Sequence, residues 1–323
     1  MAKLNMVQAI NLALHEEMKR DPAVLVMGED VGVDGGVFRV TEGLLDKFGS
    51  DRVIDTPLAE SGIVGTAIGM AVSGLKPVAE IQFEGFSYMI LDQLAAHASR
   101  IRYRSRGMYH CPMVVRAPYG GGVRALEHHS EAVATFFIHI PGLKVVIPST
   151  PYDAKGLLLS SIRDPDPVIF FEPKKLYRAF REEVPEGDYT VPLGDGKRLT
   201  QGDDVTVISW GAMVNVCQES LEKVKEISAE LIDLRTLSPL DDKIIMESVK
   251  KTGRCVVVHE EPRTLGLGAE IIARINEKAF LYLEAPVKRV TGYDVPVPLP
   301  KLEDYYLPDA ERVADAIKET AGF

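Results

Sequence analysis

Cysteine is scarce in this chain, and long apolar runs are missing altogether. Cys111, Cys217 and Cys255 lie far apart and are odd in number. They fit neither a disulfide framework nor the spacing of zinc ligands, so reduced thiols are expected. No stretch approaches the roughly 18 uncharged apolar residues of a membrane span. The N-terminal residues carry Glu16 and Glu17 in an amphipathic pattern, with no signal- or transit-peptide layout, so cytoplasm is the expected compartment. Basic residues are in the minority: 37 Lys and Arg face 47 Asp and Glu, a formal charge of −10. This balance disfavours nucleic acid or an anionic membrane as partner, although Arg100, Arg102, Arg104 and Arg106 cluster around Tyr103. Phosphate cradles are absent too. There is no Walker-type Gly-Lys-Ser/Thr, and Gly266-Leu-Gly268 lacks the third glycine of a dinucleotide loop. Gly194-Asp-Gly196 has no Asn-Asn pair after it and reads as a turn.

What is present is an alternation of short β-rich runs with helical patterns, the signature of α/β layers around a mainly parallel sheet. The 323 residues suit two domains. In the first, strands are expected at 24–27, 78–83, 113–117, 144–147 and 168–171, and helices near 5–19, 60–74, 86–105, 130–138 and 151–163. The pattern dissolves into charges, Pro and Gly after 172. The expected division is a domain over 1–187, a linker over 188–203 and a second α/β domain over 204–323. In the second, Asp309 is the expected N-cap of the last helix.

Glu60 stands where an apolar helix begins. No charge follows it until Lys76, and Gly62, Gly65 and Gly69 leave room for another backbone. A helix without a polar face is expected to be buried all round. A carboxyl at its mouth would lose water, which raises its pKa and suits it to proton work. The competing reading is a capping or ion-paired glutamate. His128 and His129 follow the Gly-rich loop after Tyr119 and precede Ser130. They suit general acid–base chemistry, with a structural histidine or a metal site using Glu127 as rivals. Gln82, Phe83 and Phe86 close a strand and open the next helix, either as core or as a flat surface for an aromatic ligand.

Several longer runs together resemble one family. They are Met27-Gly-Glu-Asp30, Arg52-Val-Ile-Asp-Thr-Pro-Leu-Ala-Glu-Ser-Gly62, Glu80-Ile-Gln-Phe83, Pro141-Gly-Leu-Lys-Val-Val-Ile-Pro-Ser-Thr-Pro151, Phe170-Phe-Glu-Pro173, Val258-His-Glu-Glu-Pro262 and Arg289-Val-Thr-Gly-Tyr-Asp294. The resemblance is to the beta subunit of the thiamine diphosphate-dependent, decarboxylating component of 2-oxo acid dehydrogenase complexes. It runs from near residue 5 to the C-terminus.

The resemblance implies a transketolase-like fold: a pyrimidine-binding α/β domain followed by a transketolase C-terminal-like one. It implies that Glu60 hydrogen-bonds the pyrimidine N1′ of thiamine diphosphate, with Gln82 and Phe86 beside the ring and Leu58 touching it through its backbone. The ring then serves as an electron sink while CO₂ leaves a 2-oxo acid. It implies that His129 handles protons, or orients the intermediate, as the acyl group passes to lipoamide. An alpha subunit would supply the grip on diphosphate and Mg²⁺ in an α₂β₂ heterotetramer, and the glycine-lined helix would pack between subunits. Main-chain groups near Ser161, Asp164 and Asp166 match a potassium-binding loop of some members. The C-terminal domain would dock the lipoate-carrying acyltransferase, helped by Glu303, Asp304, Asp309, Glu311, Asp315 and Glu319. The loop before His129 and Gly292-Tyr-Asp294 lean towards branched-chain 2-oxo acids, with pyruvate and acetoin as alternatives. Two readings of other classes remain at this stage, a non-catalytic docking scaffold and a metal-dependent hydrolase built on the histidine pair.

Overall fold

Strands such as Val24-Leu-Val-Met-Gly28 and Val114-Val-Arg-Ala-Pro-Tyr119 are buried at every residue. That pattern belongs to strands covered on both faces, as in a parallel α/β sheet. The computed structural model describes residues 2–323 and resolves them into two units. One gathers the chain up to Tyr119 with Phe136–Leu193, and the other gathers Gly120–Thr135 with Gly194–Phe323. The segment 120–135, which the sequence reading leaves inside 1–187, therefore clusters with the second unit.

In chain order the first part comprises β1 (Ala2–Leu4), α1 (Met6–Arg20), β2 (Val24–Gly28), α2 (Leu44–Phe48), β3 (Val53–Asp55), α3 (Glu60–Val72), β4 (Lys76–Glu80), α4 (Ile101–Arg104), β5 (Val114–Tyr119), α5 (Ala134–Ile138), β6 (Lys144–Val146), α6 (Pro151–Arg163), β7 (Val168–Pro173) and β8 (Glu182–Val184). Its sheet runs β6-β7-β5-β4-β2-β3, parallel throughout. β1 pairs antiparallel with β8, a contact between segments far apart in the chain that no local pattern announces. Asn5 and Gln8 form a reciprocal capping box on α1, and Thr150 with Pro151 opens α6.

The helix expected over 86–105 is instead a series of short 3₁₀, π and α turns from Glu84 to Arg104. Side chains explain part of the break. Ser99 and Arg100 both donate to the Ala95 carbonyl, and Arg104 donates to that of Ala96. These bonds compete with a regular helical ladder.

Across the middle of the sheet lies a charged cluster. Arg116 donates to Glu172 at 2.5 and 2.9 Å and to Glu80 at 2.8 Å, and the Tyr177 hydroxyl donates to Glu172 at 2.7 Å. Glu80, Arg116 and Glu172 are all buried. Burial pushes the Glu80 carboxyl up, while Arg116 pulls it back.

The second part comprises β9 (Lys197–Arg198), β10 (Val205–Ser209), α7 (Ala212–Leu221), β11 (Ala229–Asp233), β12 (Thr236–Ser238), α8 (Asp242–Thr252), β13 (Cys255–Val258), α9 (Leu267–Ala279), β14 (Lys288–Val290), α10 (Glu303–Tyr306) and α11 (Ala310–Ala321). Its sheet runs β14-β13-β10-β11-β9, with only β9 antiparallel. Asp309 caps α11 as expected, accepting from the Arg312 N–H at 2.7 Å. Gly266 and Gly268 have a packing role: a Cβ on either would fall 2.7 or 2.8 Å from the ring of His259. That ring is fully buried and stacked on Trp210 at 5.3 Å between centroids. Among the described residues, no helix is long and apolar enough to cross a membrane.

Candidate active site

The carboxyl ends of three neighbouring strands are level in the first unit, because Gly28 of β2 pairs with Asp55 of β3 and with Glu80 of β4. Ligands of α/β sheets sit beyond such strand ends. Each strand there delivers candidate residues: Glu29 and Asp30 after β2, Leu58 and Glu60 after β3, Gln82 and Phe86 after β4.

Glu60 is the first residue of α3 and is half-buried. Glu29 is only 8% exposed, and its carboxyl is held above the usual range by burial first and then by the charges of Glu60 and Asp30. Gln82 donates through Nε2 to Asp30 at 3.1 Å. The loop after β2 is pinned by Asp55, whose carboxylate accepts from Gly32 at 2.6 Å and Val33 at 3.0 Å. Ser61 donates to the Met89 carbonyl, tying the start of α3 to the 3₁₀ turn that carries Phe86. Phe86 meets Phe83 edge-on at 5.7 Å, and Phe83 meets Phe38 likewise at 5.6 Å. Leu58 is 77% exposed.

Expectation and structure part company over α3. Ile63, Val64, Ala67, Ile68 and Ala71 are buried, but Gly62, Thr66, Gly69 and Val72 are exposed. Glycine offers no side chain for this chain to bury on that side, and threonine only one methyl group. The helix therefore has an inner apolar face and an outer face of small residues.

In the second unit, His128 and His129 lie on a 3₁₀ turn, Glu127–His129, closed by His129 N–H to Leu126 and Ser130 N–H to Glu127. His128 Nδ1 is 3.6 Å from Glu131, close enough to pair when the ring is protonated. The Gly-rich start of this loop is an anion-receiving backbone, but its anions are the protein's own. Glu260 accepts from Gly121 at 2.8 Å, and Glu303 accepts from Gly122 at 2.8 Å and from Arg124 at 2.9 Å. At the other end, Thr135 donates its hydroxyl to Glu261 at 2.9 Å. Burial pushes the Glu261 carboxyl up to about 7, with Glu260 adding to the effect. None of these three glutamates was singled out from sequence as a partner of the loop. The visible signal for Glu260 and Glu261 is that they follow His259 as a pair at the end of an apolar strand; Glu303 has none of this kind.

Other expected sites divide. Asp164 accepts Lys144 Nζ at 2.6 and 2.5 Å, Arg102 donates to Asp166 at 2.7 Å, and the Ser161 carbonyl accepts the Asp164 N–H at 3.3 Å. The loop proposed for potassium thus already carries an ammonium group. The acidic C-terminal set is mostly committed internally. Glu303 is 1% exposed, Asp304 pairs with Arg124, Asp309 caps α11, Glu311 pairs with Lys223 and Glu319 with Lys288. Glu303 is thus withdrawn from the surface, while Asp304, Asp309, Glu311, Asp315 and Glu319 are exposed. Gly194-Asp-Gly196 is internal too, with Arg235 donating to the Asp195 carbonyl and Gly196 donating to Asp241. Among the described residues, no three His, Cys, Asp or Glu side chains are grouped to hold a metal.

The chain is similar to known proteins along its whole length. The family described as transketolase, pyrimidine binding domain, matches residues 2–179, and that described as transketolase, C-terminal domain, matches residues 194–313. The pyruvate dehydrogenase E1 component subunit beta of Acholeplasma laidlawii is 53% identical over 323 residues, with 99% of each chain covered. The protein of the same description from Bacillus subtilis (strain 168) is 50% identical over 325 residues, with 100% of each covered. A solved structure described as a split gene transketolase, inactive beta4 tetramer, superposes with a TM-score of 0.80 over 99% of both chains at 22% identity, which bears on the fold.

Proposed function

This chain belongs to the family of beta subunits of the pyruvate dehydrogenase E1 component, and from that premise we propose that it forms half of a thiamine diphosphate site for oxidative decarboxylation of pyruvate. The observation that carries the substrate is identity of 50–53% over essentially full length to relatives described as pyruvate dehydrogenase subunits. The lean towards branched-chain substrates has no support beside that and is withdrawn.

The first-unit cluster fits the aminopyrimidine of the cofactor. Glu60 would hold a proton at the pyrimidine N1′, half out of water at a helix start. Glu29 is buried, and its carboxyl is held above the usual range by burial first and then by the charges of Glu60 and Asp30. Phe86, braced edge-on by Phe83, would offer a ring face, and Gln82, fixed by Asp30, would offer its amide. The exposed Leu58 would contribute its backbone. When bound, thiamine diphosphate supplies an electron sink for loss of CO₂ from a 2-oxo acid.

His129 would move a proton, or orient the acyl-bearing group, during transfer to lipoamide. The diphosphate and Mg²⁺ would be held by an alpha subunit, since the glycine loops of this chain are occupied internally by Glu260, Glu303, Arg235 and Asp241. The outward small-residue face of α3 and the exposed Leu58, Tyr88 and Met89 suit such a partner.

Kinetics of the enzyme co-expressed with its alpha subunit would test this reading. The expected order of kcat/KM is pyruvate above 4-methyl-2-oxopentanoate and acetoin; a preference for either of the others overturns the substrate. Glu60→Ala is expected to stop exchange of the cofactor C2 proton while the assembly persists, and rapid exchange in that variant would remove Glu60 from its role.

A further inference from the structure

Two buried carboxylates converge on the backbone of the histidine loop from positions far along the chain. Glu260 follows β13 and Glu303 opens α10, and they are 2% and 1% exposed. Between them they collect the N–H groups of Gly121, Gly122 and Arg124 at 2.8, 2.8 and 2.9 Å. Arg124 sits in the left-handed region at φ 55°, a conformation that costs a non-glycine residue energy and persists when surroundings hold it. A Cβ on Gly120 would lie 2.6 Å from both Glu260 oxygens, so glycine is required for the carboxylate to come this close. Arg124 also reaches Asp304 at 2.9 Å, beside Glu303 in α10.

Burying carboxylates is costly unless their oxygens are satisfied, and successive N–H groups of a turn are the means of satisfying them. An apolar plug of similar volume would leave the N–H groups of Gly121, Gly122 and Arg124 without these acceptors. What the charged version adds is direction, because each oxygen accepts from a defined N–H. The Thr135–Glu261 bond fastens the far end of the same segment, so the histidine pair lies between two anchored ends.

We propose that Glu260 and Glu303 are positioning residues for His129, fixing the loop backbone so that the imidazole meets the acyl acceptor at a set distance. The inference rests on the reading of His129 given above. Its substrate consequence is specific: the glutamates serve transfer of the acyl group to lipoamide and act through the histidine.

The test uses the co-expressed alpha/beta enzyme, with lipoyl domain as acceptor and, separately, a dye acceptor that reports decarboxylation. Glu303→Gln replaces one accepting oxygen by an amide NH₂, a donor facing a backbone N–H, and Glu260→Gln weakens the other anchor. Each is expected to lower the ratio of acyl transfer to dye-linked decarboxylation about tenfold, in kcat and not in KM for the lipoyl domain. Glu303→Asp should recover part of the loss. In a His129→Ala background the Gln substitutions should cost less than about twofold, because their effect passes through the missing ring. A full additional loss in that background, or no loss in the single variants, overturns the proposal. If His129→Ala itself leaves acyl transfer unchanged, the reading of His129 fails instead, and the glutamates lose their purpose with it. Should a Gln variant fail to assemble, Glu303→Asp is taken through the same cycle and judged by the same two outcomes.

Discussion

Arg116 illustrates how a single residue can be held by chemistry that its neighbours in sequence do not reveal. It occupies an otherwise apolar strand, yet it is buried because Glu80 and Glu172 on the flanking strands take up its guanidinium. Removing one member of such a group leaves uncompensated charge in the sheet. Arg116→Met is expected to cost about 3–5 kcal/mol in urea unfolding. Replacing Glu80 and Glu172 by Leu in the same chain should restore much of it.

A second residue-scale expectation concerns pH. Burial and the Arg289 guanidinium hold the His259 ring at about 3, whereas burial holds Glu261 at about 7. Between about pH 6.5 and 3 the unfolded chain binds a proton at His259 that the folded chain refuses, so stability falls as pH drops through that window. Glu261 works the other way. From about pH 4.5 to 7 the folded chain keeps a proton that the unfolded chain releases, so stability falls as pH rises. Glu261→Gln, which mimics the protonated acid, should gain melting temperature relative to the parent as pH goes from 5 to 8. A constant difference across that range would mean that Glu261 does not titrate there.

At the scale of elements, α3 was legible as a helix and as apolar, but its sidedness was not. A run of small residues reads as buried all round, because sequence hydrophobicity does not record how much surface glycine and threonine actually offer. The inner face uses Ile63, Val64, Ala67, Ile68 and Ala71, and the outer face is mainly glycine and threonine, with Val72 at its end. A Cβ at Gly69 would meet nothing within 4 Å. Gly69→Ala is therefore expected to stabilise the lone chain by about 0.5–1 kcal/mol through helix propensity. Gly69→Tyr should leave the fold of the lone chain intact and weaken association with an alpha subunit, which sedimentation of the mixture would report. Unimpaired association would show that this face is not covered by the partner.

Local patterns also served well where caps and apolar periods agree, as at Thr150 or Asp309. They failed over 86–105, where the carbonyls of Ala95 and Ala96 are taken by side chains. Candidate chemistry was legible as residue types, a glutamate and a histidine in unusual settings. Their support was not, because Glu260 and Glu303 stand 139 and about 180 residues from the loop they hold.

For the whole molecule the proposed function turns on a site divided between two chains. The proposed site offers residues for the aminopyrimidine of thiamine diphosphate, whereas the Gly121-Gly122 turn is occupied by Glu260 and Glu303 and the Gly194-Asp-Gly196 turn by Arg235 and Asp241. A diphosphate carries most of the cofactor's charge, and an acidic chain at formal −10 with these two turns occupied gives it little to bind. Calorimetric titration of thiamine diphosphate with Mg²⁺ into the lone chain should accordingly give no saturable heat, while the same titration into chain co-expressed with its alpha subunit should saturate. The difference should survive moderate salt, because it depends on hydrogen-bonded and metal-bound groups at short range more than on long-range attraction. Tight binding by the lone chain would mean that Gly121, Gly122 and Arg124 release Glu260 and Glu303 to accept the diphosphate. In that case Glu303→Gln would alter cofactor affinity in the absence of any alpha subunit, which the division of the site between two chains does not permit.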